Sequence, residues 1–288
     1  MGRCTREADL RALHEKESAR AIIVGTGAGT GLSAVAEEKG GADLIIAYAT
    51  GKYRMAGRSS MTGRFAFGNA NGEAVRMAAE LRPLVRRAPL IAGVFAQDPF
   101  RNMEDFLDEL CRLGYDGVQN IPGMGGQEIM EGADNVKALE AAGCGFGQEV
   151  ELVRLARRRD LLTTPYCSRP DHLKLLIDAG ADVLVLHMGL TGNERDKNME
   201  VTPLQECKDR INELSLLAKQ QNPNVIVLCH GGPVVGPMEL HYLMSSCPWL
   251  AGFYGASAIE RIPVETALRK SVQAFSALKL NPQRRMLQ

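Results

Sequence analysis

Ala179-Gly180-Ala181-Asp182 followed by Val183-Leu184-Val185-Leu186-His187 is the stretch on which the fold turns. Four apolar residues in a row, without polar alternation, suit a strand buried on both faces, as strands of a parallel sheet are. Gly180 closes the preceding helix by taking a left-handed conformation, and a short turn then leads straight into the strand. The same junction recurs as Gly40-Gly41-Ala42-Asp43 and as Leu113-Gly114-Tyr115-Asp116, a weak internal repeat.

Working outward, apolar runs of strand length fall at 21–24, 43–47, 90–95, 117–120, 161–166, 183–187, 225–230 and 251–254. Between them the apolar spacing switches to the helical period. Met103, Phe106, Leu107 and Leu110 follow it, as do Leu204, Cys207, Ile211, Leu214 and Ala218, and near the end Val264, Leu268 and Phe275. Pro170 suits a first helical turn, with Ser168 or Asp171 as its cap. An open doubly wound sheet shows the same alternation, but eight strands with intervening helices favour a closed (β/α)8 barrel, an α/β fold. The chain has 288 residues, enough for a barrel of roughly 250. Residues 1–20 are expected to add an N-terminal helix across the barrel's bottom, with 21–288 as the barrel domain.

Lys plus Arg and Asp plus Glu number 34 each, which argues against a dedicated nucleic-acid binder. No run approaches the roughly 20 apolar residues that span a bilayer, and Gly2 is followed by Arg6 where a myristoylation motif needs Ser or Thr. The seven cysteines form no CxxC pair and read as reduced thiols of a cytoplasmic protein. Neither a nucleic-acid nor a membrane partner is expected.

In a barrel, chemistry belongs to the loops after the strands. Gly25-Thr26-Gly27-Ala28-Gly29-Thr30-Gly31 misses the GxGxxG spacing, and the second strand ends in Tyr48 and Thr50 without an acid for ribose. No nucleotide cofactor is expected. Gly27 and Gly29 could still let backbone N–H groups approach an anion, or simply make a tight turn. Gly231 and Gly232, then Gly255 and Ser257, follow the seventh and eighth strands, where barrels build phosphate sites. Residues 52–71 form the longest irregular stretch, with Lys52, Arg54, Arg58 and Arg64 uncompensated until Glu73. That pattern suits a lid over phosphate or carboxylate, or a solvated charge run. Polar strand ends bring Gln97, Asn120, Tyr166, His187 and His230 to the rim, the two histidines being placed for proton transfer. His14, His172 and His241 fall in helices and read as surface residues. Glu149 reads as dipole stabilisation of a helix start, and Glu260 with Arg261 as an ion pair. Asp98 is the single candidate ligand for a hard cation such as Mg2+.

At these residues the chain resembles the phosphoenolpyruvate hydrolase-like TIM-barrel family, which includes bacterial and fungal single-domain proteins and the C-terminal half of a plant tobamovirus-resistance protein. The resemblance runs through Ile23-Val24-Gly25-Thr26-Gly27-Ala28-Gly29, Tyr48-Ala49-Thr50-Gly51-Lys52-Tyr53-Arg54, Phe95-Ala96-Gln97-Asp98-Pro99 and Gln119-Asn120-Ile121-Pro122. It continues in His187-Met188-Gly189-Leu190-Thr191, His230-Gly231-Gly232-Pro233 and Gly252-Phe253-Tyr254-Gly255-Ala256-Ser257. It implies chemistry like that of phosphonopyruvate hydrolase and the phosphoenolpyruvate mutase/isocitrate lyase barrels, which cleave a P–C or C–C bond beside a 2-oxo acid with Mg2+. Those enzymes carry a Lys-x-x-Cys signature on a mobile loop, where this chain has Lys52-Tyr53-Arg54-Met55.

The expected activity is therefore a hydrolase or lyase acting on a small 2-oxo acid or phosphonate. His187 and His230 serve as acid/base groups and Arg54, Arg58 and Arg64 as anion clamps. Gly27, Gly29, Tyr48, Lys52, Gln97, Asn120, Gly231, Gly232, Gly255 and Ser257 complete the anion-binding set, with Asp98 at the metal. The alternatives are a metal-free lyase or aldolase acting on a phosphorylated metabolite, with Lys52 as the one rim lysine for a Schiff base, and a non-catalytic ligand- or protein-binding barrel. Barrels of this kind often self-associate, so a homo-oligomer is expected.

Overall fold

The computed structural model describes residues 5–64, 68–124, 133–192 and 201–279. Its strands are β1 Ile23–Ala28, β2 Leu44–Ala47, β3 Leu90–Gly93, β4 Gly117–Gln119, β5 Leu162–Thr163, β6 Tyr166–Cys167, β7 Val183–His187, β8 Ile226–His230 and β9 Gly252–Gly255. They form one parallel sheet in the order β5-β4-β3-β2-β1-β9-β8-β7-β6. The two edges, β5 and β6, are neighbours in sequence, joined by Thr164-Pro165. Gly117 and Val118 of β4 register with Leu162 and Thr163, whereas Tyr166 and Cys167 register with Val185 and Leu186 of β7. The curled sheet thus closes on itself as a (β/α)8 barrel whose fifth strand is in two pieces.

The sequence reads 161–166 as one strand. Pro165 divides it, because proline offers the ladder no N–H. The closure is carried instead by Thr164 N donating to Val118 O at 3.0 Å and Val185 N donating to Pro165 O at 2.9 Å.

Alternation sorts each strand between two apolar layers. Leu44, Ile46, Ile91, Leu162, Val183, Val185, Ile226 and Leu228 fill the barrel, while Ile45, Leu90, Leu184, Leu186 and Val227 face the helices. Helix Arg6–Ser18 sends Leu13, with Leu10 against it, into the filling. The helical stripes at Phe106, Leu107 and Leu110 and at Cys207, Ile211, Leu214 and Ala218 are buried as their period requires. Helix Arg261–Ser276 breaks the pattern, for its stripe faces outward, with Leu268 64% and Phe275 73% exposed. Helix Pro170–Asp178 starts at Arg169 without a side-chain cap. Asp171 lies inside the first turn, past the cap position, and a salt bridge to Arg169 at 2.8 Å holds its carboxyl low, at about 2.

The repeated aspartates explain the internal repeat. Each stands just before one strand and accepts a backbone N–H from the first two residues of a neighbouring strand. Asp43 takes Val24 N at 2.7 Å, Asp116 takes Leu90 N at 2.9 Å, and Asp182 takes Thr163 N at 3.0 Å. Each also meets a cation, Lys16 at 2.6 Å, Arg82 at 3.0 Å and Arg6 at 2.7 Å respectively. The bottom of the barrel is sealed by one device used three times.

One glycine segment differs from its sequence reading. The first strand, expected over 21–24, continues through Gly25-Thr26-Gly27-Ala28, so Gly27 lies in the strand rather than in an anion-binding turn. The glycines make room inside the barrel. A Cβ on Gly25 would stand 2.6 Å from the Tyr254 ring, and one on Gly27 2.8 Å from the Tyr48 hydroxyl. Among the described residues, no helix is long and apolar enough to cross a membrane, and no disulfide joins the cysteines.

Candidate active site

The strands that bury Val185 and Leu228 place His187 and His230 two residues further along, on the same inner face at the C-terminal mouth. The two are paired in the β7–β8 register, and their rings lie 5.1 Å apart between centroids. Tyr166 completes a trio, 5.1 Å from His187 and 4.9 Å from His230. All three are buried.

Backbone partners assign the protons. His230 Nδ1 lies 2.6 Å from Tyr254 O. A carbonyl can only accept, so Nδ1 carries the hydrogen and Nε2 the lone pair. His187 Nδ1 accepts from Gly189 N at 3.1 Å, which leaves the hydrogen on Nε2. The pair therefore presents one basic and one proton-bearing Nε2. Burial lowers the His230 pKa to about 4, against the opposing pull of the Tyr254 carbonyl and with help from Arg54. His230 is a neutral base at pH 7.

The turns beside the pair are held open by glycine. Gly189, Gly231 and Gly232 have φ of +99°, +77° and +58°, and Gly232 N donates to Gly189 O at 3.0 Å. A Cβ on Gly231 would fall 2.0 Å from Gly189 O, so no larger residue fits there. Gly255 ends β9, and buried Ser257 follows it.

Arg54 is not a solvent-facing clamp. It is buried in an ion pair with Glu260, and its fork also donates to Tyr48 OH at 2.9 Å and Gly27 O at 2.7 Å. Burial opposes its charge, but Tyr48 and Glu260 outweigh that and hold its pKa above the ordinary value. The other Glu260 oxygen accepts from Gly29 N at 2.6 Å, so that amide is already engaged. Arg261, the partner the sequence suggests for Glu260, bonds Glu265 instead at 3.1 Å. Lys52 lies 3.7 Å from Glu80, Arg58 is exposed, and the Arg64 side chain lies outside the described residues.

Glu149 has a larger role than a helix-start charge. Fully buried on helix Gly147–Arg158, it accepts from Gln97 Nε2 at 2.9 Å, from Asn120 Nδ2 and from Met124 N. Asn120 then pairs with the main chain of Tyr166, accepting from its N at 2.6 Å and donating to its O at 3.2 Å. Gln97 and Asn120 thus join the loops after β3 and β4 to the strand that carries Tyr166. The sequence signal for this hub is weak, a lone glutamate in a first helical turn. His172, read as a surface residue, is also buried, stacked on Phe146 with centroids 3.6 Å apart.

Among the described residues, the donors do not fit a divalent cation. Asp98 accepts from Asn71 Nδ2 at 2.9 Å and Phe100 N at 3.0 Å and lies 3.6 Å from Arg101. Glu149 and Glu260 are likewise taken up by protein donors. Among the described residues, no three His, Cys, Asp or Glu side chains converge to hold a metal, and Mg2+ asks for oxygen ligands. One acidic group stands apart, Glu37 on helix Gly31–Lys39. Burial first and Glu260 second push its carboxyl up to about 8, against the pull of Thr26 and Arg54. The Thr26 hydroxyl donates to Leu44 O at 3.3 Å, and both Glu37 oxygens lack a hydrogen-bond partner.

Comparison with known proteins agrees with this architecture. A family model described as phosphoenolpyruvate hydrolase-like matches residues 9–278. Two tomato (Solanum lycopersicum) proteins are similar over 94% of the chain: the ToMV susceptible protein tm-1(GCR26) at 42% identity and the ToMV resistance protein Tm-1(GCR237) at 41%. The chain spans 35% of the length of each. A solved phosphonopyruvate hydrolase in complex with oxalate and Mg2+ superposes with TM-score 0.59 at 14% identity, covering 95% of this chain and 87% of that one. An oxaloacetate acetylhydrolase superposes with TM-score 0.62 at 15% identity, covering 96% and 88%. At such identities the likeness is one of fold.

Proposed function

Because this chain belongs to the phosphoenolpyruvate hydrolase-like family, we propose that it cleaves the bond beside the carbonyl of a small 2-oxo acid, with His230 as base and His187 as hydrogen-bond donor. The observation that carries this is the pair of opposite tautomers, each fixed at Nδ1 by backbone, at the C-terminal mouth.

With phosphonopyruvate as the test substrate, the P–C bond breaks as water forms a P–O bond. His230 Nε2 takes the water proton, and the electron pair of the broken bond becomes the enolate of pyruvate. The Nε2–H of His187 meets the developing enolate oxygen, where a preorganised donor in a water-poor site is most effective. The proton that His230 took from water then passes to the methylene carbon, yielding pyruvate and phosphate and returning His230 to its neutral form. Anion recognition falls to Arg58, to Lys52, and to the glycine turns at Gly231, Gly232 and Gly255 with Ser257. Arg54 and Asn120 hold the walls. The phosphonopyruvate hydrolase that superposes on this chain holds Mg2+, but the described donors form no nest for it, and no step here runs through a metal.

Release of pyruvate and phosphate in equal amounts from millimolar phosphonopyruvate, with and without Mg2+, tests the reading. Turnover should fall at least ~100-fold in His230→Gln, the scale of general-base contributions. Absence of turnover in the unaltered protein under both conditions rejects the activity. A second reading, a non-catalytic ligand-binding barrel, is favoured by the internal satisfaction of Asp98, Glu149 and Glu260. It predicts that oxalate binds without turnover of any 2-oxo acid. The outward apolar stripe of helix Arg261–Ser276 supports self-association with a second copy of the chain.

A further inference from the structure

The buried carboxylate of Glu149 is connected to both histidines through a chain of hydrogen bonds and ring contacts. In each contact with a described residue its oxygens accept, and a buried carboxyl group needs such partners. Among the described residues the donors come from three places: Gln97 after β3, Asn120 just after β4, and the backbone of Met124 beyond it. The fit is close, for a Cβ on Gly123 would stand 2.9 Å from Glu149 Oε1. Asn120, held at its amide nitrogen, spans the ladder gap after Pro165 by bonding both main-chain groups of Tyr166. The Tyr166 ring then packs edge-on to His187, at 85°, and tilted to His230, at 49°.

We infer that Glu149 is the positioning residue of the histidine pair, acting through Asn120 and the Tyr166 backbone to set the ring geometry of His187 and His230. This rests on the assignment of those histidines as the working groups. Glu149 needs its full carboxylate, because an amide in its place turns an N–H toward donors. The route is short, and each link is a hydrogen bond or ring contact already described.

The experiment uses Glu149→Gln in the full chain, with Arg82→Ala as a control that weakens the barrel's opposite end. Imidazole NMR signals are read first. The chain has five histidines, so His187 and His230 can be assigned by single substitutions. The expected result is that Glu149→Gln shifts both signals and that Glu149→Asp restores them in part, while Arg82→Ala leaves them in place at a comparable loss of Tm. If phosphonopyruvate is turned over, kcat should fall at least tenfold with KM within about twofold. Should Glu149→Gln fail to fold, Asn120→Ala is read the same way, since it cuts the next link. Unchanged His187 and His230 signals in a folded Glu149→Gln or Asn120→Ala protein overturn the inference. Shifted signals without any turnover would retain Glu149 as the positioning residue and reject the activity alone.

Discussion

The two ends of the barrel solve the same problem differently. At the bottom, Asp43, Asp116 and Asp182 each accept a backbone N–H from a neighbouring strand 19, 26 and 19 residues away in sequence, a device repeated along the chain. At the mouth, buried polar groups are joined across great sequence distance: Arg54 to Glu260, 206 residues apart, and Gly29 to Glu260, 231 apart. The bottom tolerates averaging over similar parts, whereas each mouth contact is unique and must be built individually. A seal can be periodic, but a site that sets two tautomers against one another cannot.

The largest test of that contrast is Arg54→Ala. It strands Glu260 in the interior, and leaving a buried charge unpaired costs about 3–5 kcal/mol. Chemical denaturation should show that loss, and Arg54→Met with Glu260→Leu should recover much of it. A loss below about 1 kcal/mol in the single variant would mean that water reaches Glu260.

pH separates two further buried groups. His230 has a folded pKa lowered to about 4 from 6.5. The unfolded chain therefore binds the extra proton first, and this contribution is present above 6.5 and lost as pH falls toward 4. Its size is on the order of 3 kcal/mol. Glu37 runs the other way. Its folded pKa is raised from 4.5 to about 8, so its contribution is complete below 4.5 and lost as pH rises through 8. Stability measured by urea titration should thus decline from pH 6.5 to 8. In Glu37→Gln that decline should vanish while the acid limb stays. Persistence of the alkaline decline would place its source elsewhere.

Asp116→Ala at the bottom removes the acceptor of one buried N–H and should cost about 1–3 kcal/mol, without altering the histidine signals. A smaller effect still is expected from Leu268→Lys. Exposed in the single chain, it should change monomer stability by about 0.5 kcal/mol or less. In the self-association proposed above, sedimentation should nonetheless show that Leu268→Lys weakens the assembly, and an unchanged assembly would remove that helix from the interface.

The bottom was readable in the sequence because its signals are local. Gly180-Ala181-Asp182 and its two counterparts stand next to the strands they serve, and Val183–His187 announces its burial by composition. The histidine pair was readable for a related reason, since a strand period places both at strand ends. The rest required the fold. Nothing near Arg54 points to Glu260, and four cations on one loop look alike until one is buried. Gly25 and Gly27 resemble a loop because the rings they accommodate, Tyr254 and Tyr48, lie on β9 and just after β2. Pro165 gave a local clue to the broken fifth strand. Glu149, by contrast, draws its partners from two other loops and left no pattern to find.

One spectrum bears most directly on the central claim. Long-range 15N–1H correlation of the imidazoles near pH 7 should show His230 protonated at Nδ1 and His187 protonated at Nε2. The same tautomer in both rings, or a charged His230, would contradict the account.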